Sequence, residues 1–145
     1  MNGQRDTIFE IAKNMKLDLD EGQRIISENL DKLTTDLIQK SKKFSFPFFK
    51  NSSDFRGFYI YGGVGRGKSM IMDIFFENIR LEKKRRIHFH DFMKEVHSKI
   101  YSIGQKNKKI DPVQVFARQF VEKSKLLCFD EMEIRDIADA MIIYR

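Results

Sequence analysis

Between residues 19 and 40, Ile26, Leu30, Leu33 and Leu37 recur at alternating spacings of four and three. That rhythm lines one face of a helix with apolar groups, and Asp18 or Asp20 stands where a side-chain cap would start it. The pattern then changes. Phe44, Phe46, Phe48 and Phe49 surround Pro47, whose missing N–H argues against a regular central strand. This stretch reads as a connector whose aromatics pack in a core, a reading preferred over contact with an adenine base. The polar residues 51–54 turn the chain after it. Gly57, Phe58, Tyr59, Ile60 and Tyr61 form a short apolar and aromatic run of the kind that makes a buried strand. Residues 70–79 hold no Gly or Pro and predict a mostly buried helix.

A second strand is expected at Ile87, His88, Phe89 and His90, with Asp91 capping the helix that follows. Phe92, Met93, Val96, Ile100 and Ile103 share one side of that helix, and residues 104–109 read as a loop. Asp111, Pro112 and Gln114 then supply three helix-start signals together: an N-cap acid, a proline at the first position and a glutamine three residues after the cap. The helix they open carries Phe116 and Phe120 inward and ends near Lys123. Leu126, Leu127, Cys128 and Phe129 form a strand too apolar to be exposed on either face, and it ends on two adjacent carboxylates, Asp130 and Glu131. Alternating strands and helices predict an α/β fold, a parallel sheet flanked by helices. Residues 1–54 are expected to form an N-terminal helical segment with its aromatic connector, and residues 55–145 the α/β domain.

The chemistry begins at residues 62–69. Gly62, Gly63, Val64, Gly65, Arg66, Gly67, Lys68 and Ser69 match the phosphate-binding pattern G-x-x-x-x-G-K-[ST] in full. The glycines let the backbone curl so that successive N–H groups point inward at phosphate oxygens. Lys68 then reaches the β- and γ-phosphates, and the Ser69 hydroxyl suits Mg²⁺. A strand before the loop and a helix after it would confirm the motif, because the helix N-terminus adds its positive dipole end. The chain is therefore expected to bind a nucleoside triphosphate, or to descend from one that did.

Asp130 lies sixty-two residues after Lys68. In P-loop enzymes an apolar strand near the P-loop strand delivers its terminal Asp to the Mg²⁺ shell, a role that Asp130 fits. Glu131, one residue on, points differently and can take the proton of an attacking water. The pair favours ATP hydrolysis over phosphoryl transfer to a small molecule. A GTPase is disfavoured, since no guanine-reading Asn-Lys-x-Asp follows.

Composition narrows the picture further. At 145 residues, 41% hydrophobic and 33% charged, the chain is about one ordinary globular domain long. A single cysteine, Cys128, excludes an internal disulfide framework, and its apolar surroundings mark it as a small buried hydrophobe rather than a reactive thiol. Residues 1–6 lack a signal-peptide core, and no apolar stretch approaches the ~20 residues that span a bilayer. The net charge of +6 comes from dispersed basic residues. Two clusters, at residues 83–86 and 106–109, read as solvated loops rather than as a nucleic-acid surface. His88, His90 and His97 lack the fourth ligand a zinc site usually needs, so structural hydrogen bonding is the preferred reading.

Three segments together carry a family resemblance. Residues 57–73, from Gly57 through the loop to Met70, Ile71, Met72 and Asp73, closely resemble the P-loop segment of the ZapE-like (AFG1-type) ATPases, which are of the AAA+ type. A second signature is echoed from Arg86, Ile87, His88, Phe89, His90 and Asp91 to His97, and a third from Leu127 through Asp130 and Glu131 to Met141. Asp20 and Gln23, three apart, suit the family's N-terminal helix. The departures are mild: Ser69 replaces the more usual Thr, and Met132 stands where Phe is usual. The resemblance runs from about residue 15 to residue 145.

By that resemblance Lys68 and the loop backbone hold the phosphates of ATP, Ser69 and Asp130 serve Mg²⁺, and Glu131 activates water. The resemblance also implies a fourth strand with a γ-phosphate-sensing residue, an arginine finger, a fifth strand and a helical lid, none of which occurs before Arg145. The chain is thus expected to be the N-terminal part of such an enzyme, with an incomplete sheet and with a C-terminal half or other subunits of the same ATPase as partners. The implied role is Mg-dependent ATP hydrolysis associated with cell division, in the bacterial cytoplasm or on the matrix side of a mitochondrion, with cell-division proteins as further partners. Two alternatives stand beside it: a catalytically dead remnant that at most binds nucleotide, and a nucleic-acid-associated ATPase of the helicase-loader kind. Nucleic acid is the less favoured partner.

Overall fold

The computed structural model describes residues 6–42 and 57–145. The aromatic connector at 44–49 and the polar turn at 51–54 lie outside the described residues. The chain divides into two compact units, Met1–Arg80 and Leu81–Arg145.

The first unit packs three helices: α1 (Ile8–Asn14), α2 (Glu21–Lys42) and α3 (Lys68–Asn78). Helix α1 has no counterpart among the expected elements, although its start signal is legible. Thr7 caps it by accepting a bond from the Glu10 N–H, and Glu10 reaches back to the Thr7 N–H at 2.7 Å. The Asp31 carboxylate accepts from the Ile8 N–H and so ties the start of α1 to α2. Helix α2 opens on a second box of the same kind: Asp20 accepts from the Gln23 N–H at 2.8 Å, and the Gln23 amide oxygen accepts from the Asp20 N–H at 2.9 Å. Asp20, not Asp18, is therefore the cap. Leu30 is buried on the expected face, as are Ser27 and Thr34, whose hydroxyls satisfy themselves on carbonyls four residues back. Helix α3 buries Ile71, Ile74 and Phe75.

One expected strand does not form in this unit. Residues 57–63 have no regular secondary structure and pair with no strand among the described residues, and Tyr59 and Tyr61 stand 69% and 82% exposed. A strand is made by the partner that takes its N–H and C=O groups, and an apolar run alone does not supply one.

The second unit is a β–α–α–β arrangement followed by a short helix: β1 (Lys84–His88), α4 (Phe89–Lys106), α5 (Pro112–Lys123), β2 (Leu126–Asp130) and α6 (Ile137–Tyr144). The two strands pair in parallel, with Arg86 opposite Cys128 and His88 opposite Asp130. Strand β1 starts three residues earlier than expected, and helix α4 begins at Phe89 with His88 as its N-cap residue. His90 is therefore helical and does not share a strand face with His88, and Asp91 sits in the first turn instead of capping it. Most of the basic cluster at 83–86 forms the strand instead of a solvated loop. Long Lys and Arg stems lie along apolar surface while their charged ends find partners. Arg85 does so through a bidentate pair with Glu95 of α4, at 2.6 and 3.2 Å, which holds the Glu95 carboxyl below its ordinary range.

Successive strand residues face opposite sides. Ile87, Leu127 and Phe129 turn toward α4 and α5 and pack against Phe89, Phe92, Met93 and Val96. Phe116 and Phe120 of α5 close this core as expected, and Asp111 caps α5 by accepting from the Val113 N–H. Helix α4 continues through Gly104 to Lys106, so the expected loop at 104–109 is shorter by three residues at its start. The opposite face of the ladder carries Arg86, Cys128 and Asp130, and this alternation puts the candidate metal carboxylate on the side away from the aromatic core.

Candidate functional site

The loop at 62–69 closes on itself. Lys68 is the first residue of α3, and its ammonium donates to the carbonyls of Gly62 at 3.0 Å and Gly63 at 2.7 Å. Gly65 and Gly67 take φ of 76° and 72°, a left-handed conformation that costs other L-residues about 1 kcal/mol or more. Those two glycines let the chain reverse and enter α3 within a few residues. A Cβ built on Gly62 or Gly65 meets nothing within 4 Å, so the loop surface is open there. The α3 N-terminus has Gly67 at its cap position, with no side-chain cap bond among the described residues. Orphan donors and the positive dipole end make such a terminus suited to an anion. Ser69 is exposed in the first turn.

These features fit a polyphosphate. The glycine conformations supply the curl, Lys68 supplies a cation already folded over the loop, and Ser69 supplies a hydroxyl oxygen. Two contacts were not foreseen from the sequence. The Gln23 side-chain amide donates to the Arg66 carbonyl at 3.1 Å, and the Arg66 guanidinium pairs with Asp20 at 3.3 Å. Arg66 is turned toward the start of α2 by that pairing. The capping box was visible as a local three-residue spacing, but nothing in one sequence links Gln23 to a carbonyl 43 residues away.

In the second unit Asp130 ends β2, and Arg86 of β1 grips it: Nε donates to Oδ2 at 2.7 Å and Nη2 to Oδ1 at 3.0 Å. The two side chains are 22% and 17% exposed. A carboxylate oxygen has more than one lone pair, so Asp130 retains capacity to ligate a hard cation while Arg86 holds it. Arg86→Met is expected to lower stability by about 2 kcal/mol, the cost of leaving a half-buried carboxylate without its charge-assisted partner. Urea denaturation checks this, and adding Asp130→Asn should recover much of the loss, since the stranded charge is then gone. Additive losses in the double variant would show that the pair is not coupled.

Glu131 follows immediately at φ 51°, a left-handed backbone rare outside glycine, and its side chain is exposed. The turn carries Glu131 out of the strand alternation, while the Arg86 guanidinium holds Asp130. Cys128 is buried beside them, and burial pushes its thiol up to about 11, which keeps it protonated and unreactive at neutral pH. His97 bonds Asp139 of α6 at 2.6 Å. Among the described residues no three His, Cys, Asp or Glu side chains gather as a metal site.

Residues 7–145 match the AFG1-like ATPase family, and the chain belongs to that family. The chain is 44% identical over 89 residues to the cell division protein ZapE of Escherichia coli K12, a stretch covering 61% of this chain and 23% of that protein. It is also 42% identical over 96 residues to the lactation elevated protein 1 homolog B of Danio rerio, covering 61% of this chain and 19% of that one. The matched stretches thus span about a fifth of these relatives' length. No solved structure matches the chain. No helix among the described residues is long and apolar enough to cross a membrane.

Proposed function

We propose that residues 62–69 bind ATP with Mg²⁺, and that Asp130 and Glu131 belong to a hydrolytic site of the AAA+ kind. The observation that carries this reading is the closed loop: two left-handed glycines, an α3 N-terminus with no side-chain cap, and the Lys68 ammonium held on the loop carbonyls. Family membership supports the ATPase assignment. On binding, Lys68 exchanges carbonyl oxygens for phosphate oxygens, and the backbone N–H groups of the loop from Gly62 to Gly67 cradle the phosphate chain. Ser69 and Asp130 are each a hard oxygen donor that would suit Mg²⁺, and the ion would supply charge neutralisation on the phosphate oxygens. Glu131 accepts the proton of the water that attacks the γ-phosphorus, as the bond to the β-phosphate oxygen breaks and ADP leaves with that electron pair.

The printed name of the Escherichia coli relative supports an association with cell division; a place in the bacterial cytoplasm, or on the matrix side of a mitochondrion, is part of the same proposal. A fourth strand with a sensor, an arginine finger and a lid, supplied by a C-terminal half or by other subunits, complete the enzyme in this reading. Binding without turnover is the second reading. It is favoured by the grip of Arg86 on both Asp130 oxygens, and measured turnover rejects it.

Nucleotide binding is tested by titrating the chain with a fluorescent ATP analogue in Mg²⁺. Lys68→Ala is expected to weaken binding about 10- to 100-fold, the loss of one charge-assisted contact, with an unchanged far-UV spectrum. Equal affinity in the variant, or no binding by the parent at millimolar nucleotide, would sink the assignment.

A further inference from the structure

Residues Asp20 and Gln23 do more than start a helix. The Gln23 side chain spends its oxygen on the Asp20 N–H at 2.9 Å and its amide N–H on the Arg66 carbonyl at 3.1 Å. Asp20 likewise divides its carboxylate, with Oδ1 on the Gln23 N–H and Oδ2 on the Arg66 guanidinium. One capping box therefore holds both the main chain and the side chain of Arg66. Arg66 lies between the two glycines whose left-handed backbone shapes the loop. The approach at Gly67 is close enough that a Cβ there would stand 2.7 Å from the Gln23 amide nitrogen. All of these contacts fall within the compact Met1–Arg80 unit.

We infer that Asp20 and Gln23 are positioning residues for the phosphate loop, and that the first turn of α2 is coupled to what the loop holds. The inference rests on the nucleotide reading of residues 62–69 and deepens it. Left alone, a glycine-rich loop samples many backbone states, and only the fraction already curled binds phosphate at full affinity. The Gln23 bond to the Arg66 carbonyl fixes the peptide just before Gly67, where a reversed carbonyl would point into the anion site. The Arg66–Asp20 pair is more exposed and adds less. It also directs the guanidinium toward α2, so Arg66 acts on phosphate through the loop's shape. Coupling of this kind is reciprocal: whatever orders the loop also tightens the start of α2.

The test separates the latch from the helix cap. Glutamate at the third helical position is the usual partner in a capping box, so Gln23→Glu preserves the bond to the Asp20 N–H but has no N–H for the Arg66 carbonyl. Arg66→Met removes the guanidinium that the new carboxylate would otherwise capture. The double variant is expected to keep the melting temperature of the parent, while amides at residues 63–67 exchange with solvent roughly 5- to 30-fold faster without nucleotide. Affinity for the fluorescent nucleotide is expected to fall by a similar factor. In the parent, Mg-ADP should slow exchange at residues 21–24, and in the double variant it should not.

Unchanged loop exchange in the double variant overturns the latch. Faster loop exchange with unchanged nucleotide affinity overturns the coupling. If the loop loosens as expected but the parent binds no nucleotide, the latch stands and the nucleotide reading of the loop is what fails.

Discussion

Phe92→Ala is expected to cost the Leu81–Arg145 unit about 3–5 kcal/mol, a large part of the stability of an ordinary domain. Phe92 is 6% exposed at the centre of the aromatic cluster. Its ring lies 4.9 Å from that of Phe129 on β2, 5.4 Å from Phe120 and 6.5 Å from Phe116 on α5. Truncation removes the transfer energy of the ring and also its edge and tilted contacts with three other aromatics, each worth about 0.5–1.5 kcal/mol beyond area. Because those partners belong to two different elements, the void cannot be closed by a shift of one of them. Urea denaturation followed by far-UV circular dichroism measures the loss. A cost below about 1 kcal/mol would mean that the cluster is not the core of this unit.

Glu131→Gln is expected to lower ATP turnover about 10²- to 10⁴-fold in any preparation of this chain that hydrolyses ATP, while nucleotide affinity changes little. Gln is nearly isosteric with Glu, so the exchange removes the proton acceptor and little else. The backbone at φ 51° and the exposed position are compatible with either residue. Asp130 remains bound to Arg86 in the variant, which separates this effect from any loss at the metal carboxylate. Single-turnover phosphate release with saturating nucleotide reads the chemical step directly. Hydrolysis at the parent rate would remove Glu131 from the mechanism. Loss of binding together with turnover would instead assign it to the phosphate site.

Local patterns proved legible in proportion to how local their physics is. The α5 start at Asp111 and Pro112 forms as the spacing predicts, because a cap and its N–H partner lie within three residues of each other. The inward faces of α4 and α5 also follow from periodicity, since each position on a helix has a fixed angular place. Two of the errors arise where a partner distant in sequence decides. Lys84, Arg85 and Arg86 look like a solvated loop until Glu95 and Asp130 receive the two guanidinium groups. The aromatic run at 57–61 looks like a strand, yet no strand among the described residues pairs with it.

The same division holds for the candidate site. The order and identity of residues determined the conformation of the loop at 62–69: glycines where φ turns positive, a lysine that folds back on the loop, and a hydroxyl at the start of α3. These depend on neighbours a few positions apart, and a linear motif records them. Tertiary structure alone decided that the box at Asp20 and Gln23 reaches Arg66, that Asp130 is held by Arg86, and that Asp130 faces away from the aromatic core. The first two of those facts join residues separated by more than forty positions, and a hydrogen bond requires a distance near 3 Å that only the folded chain can set.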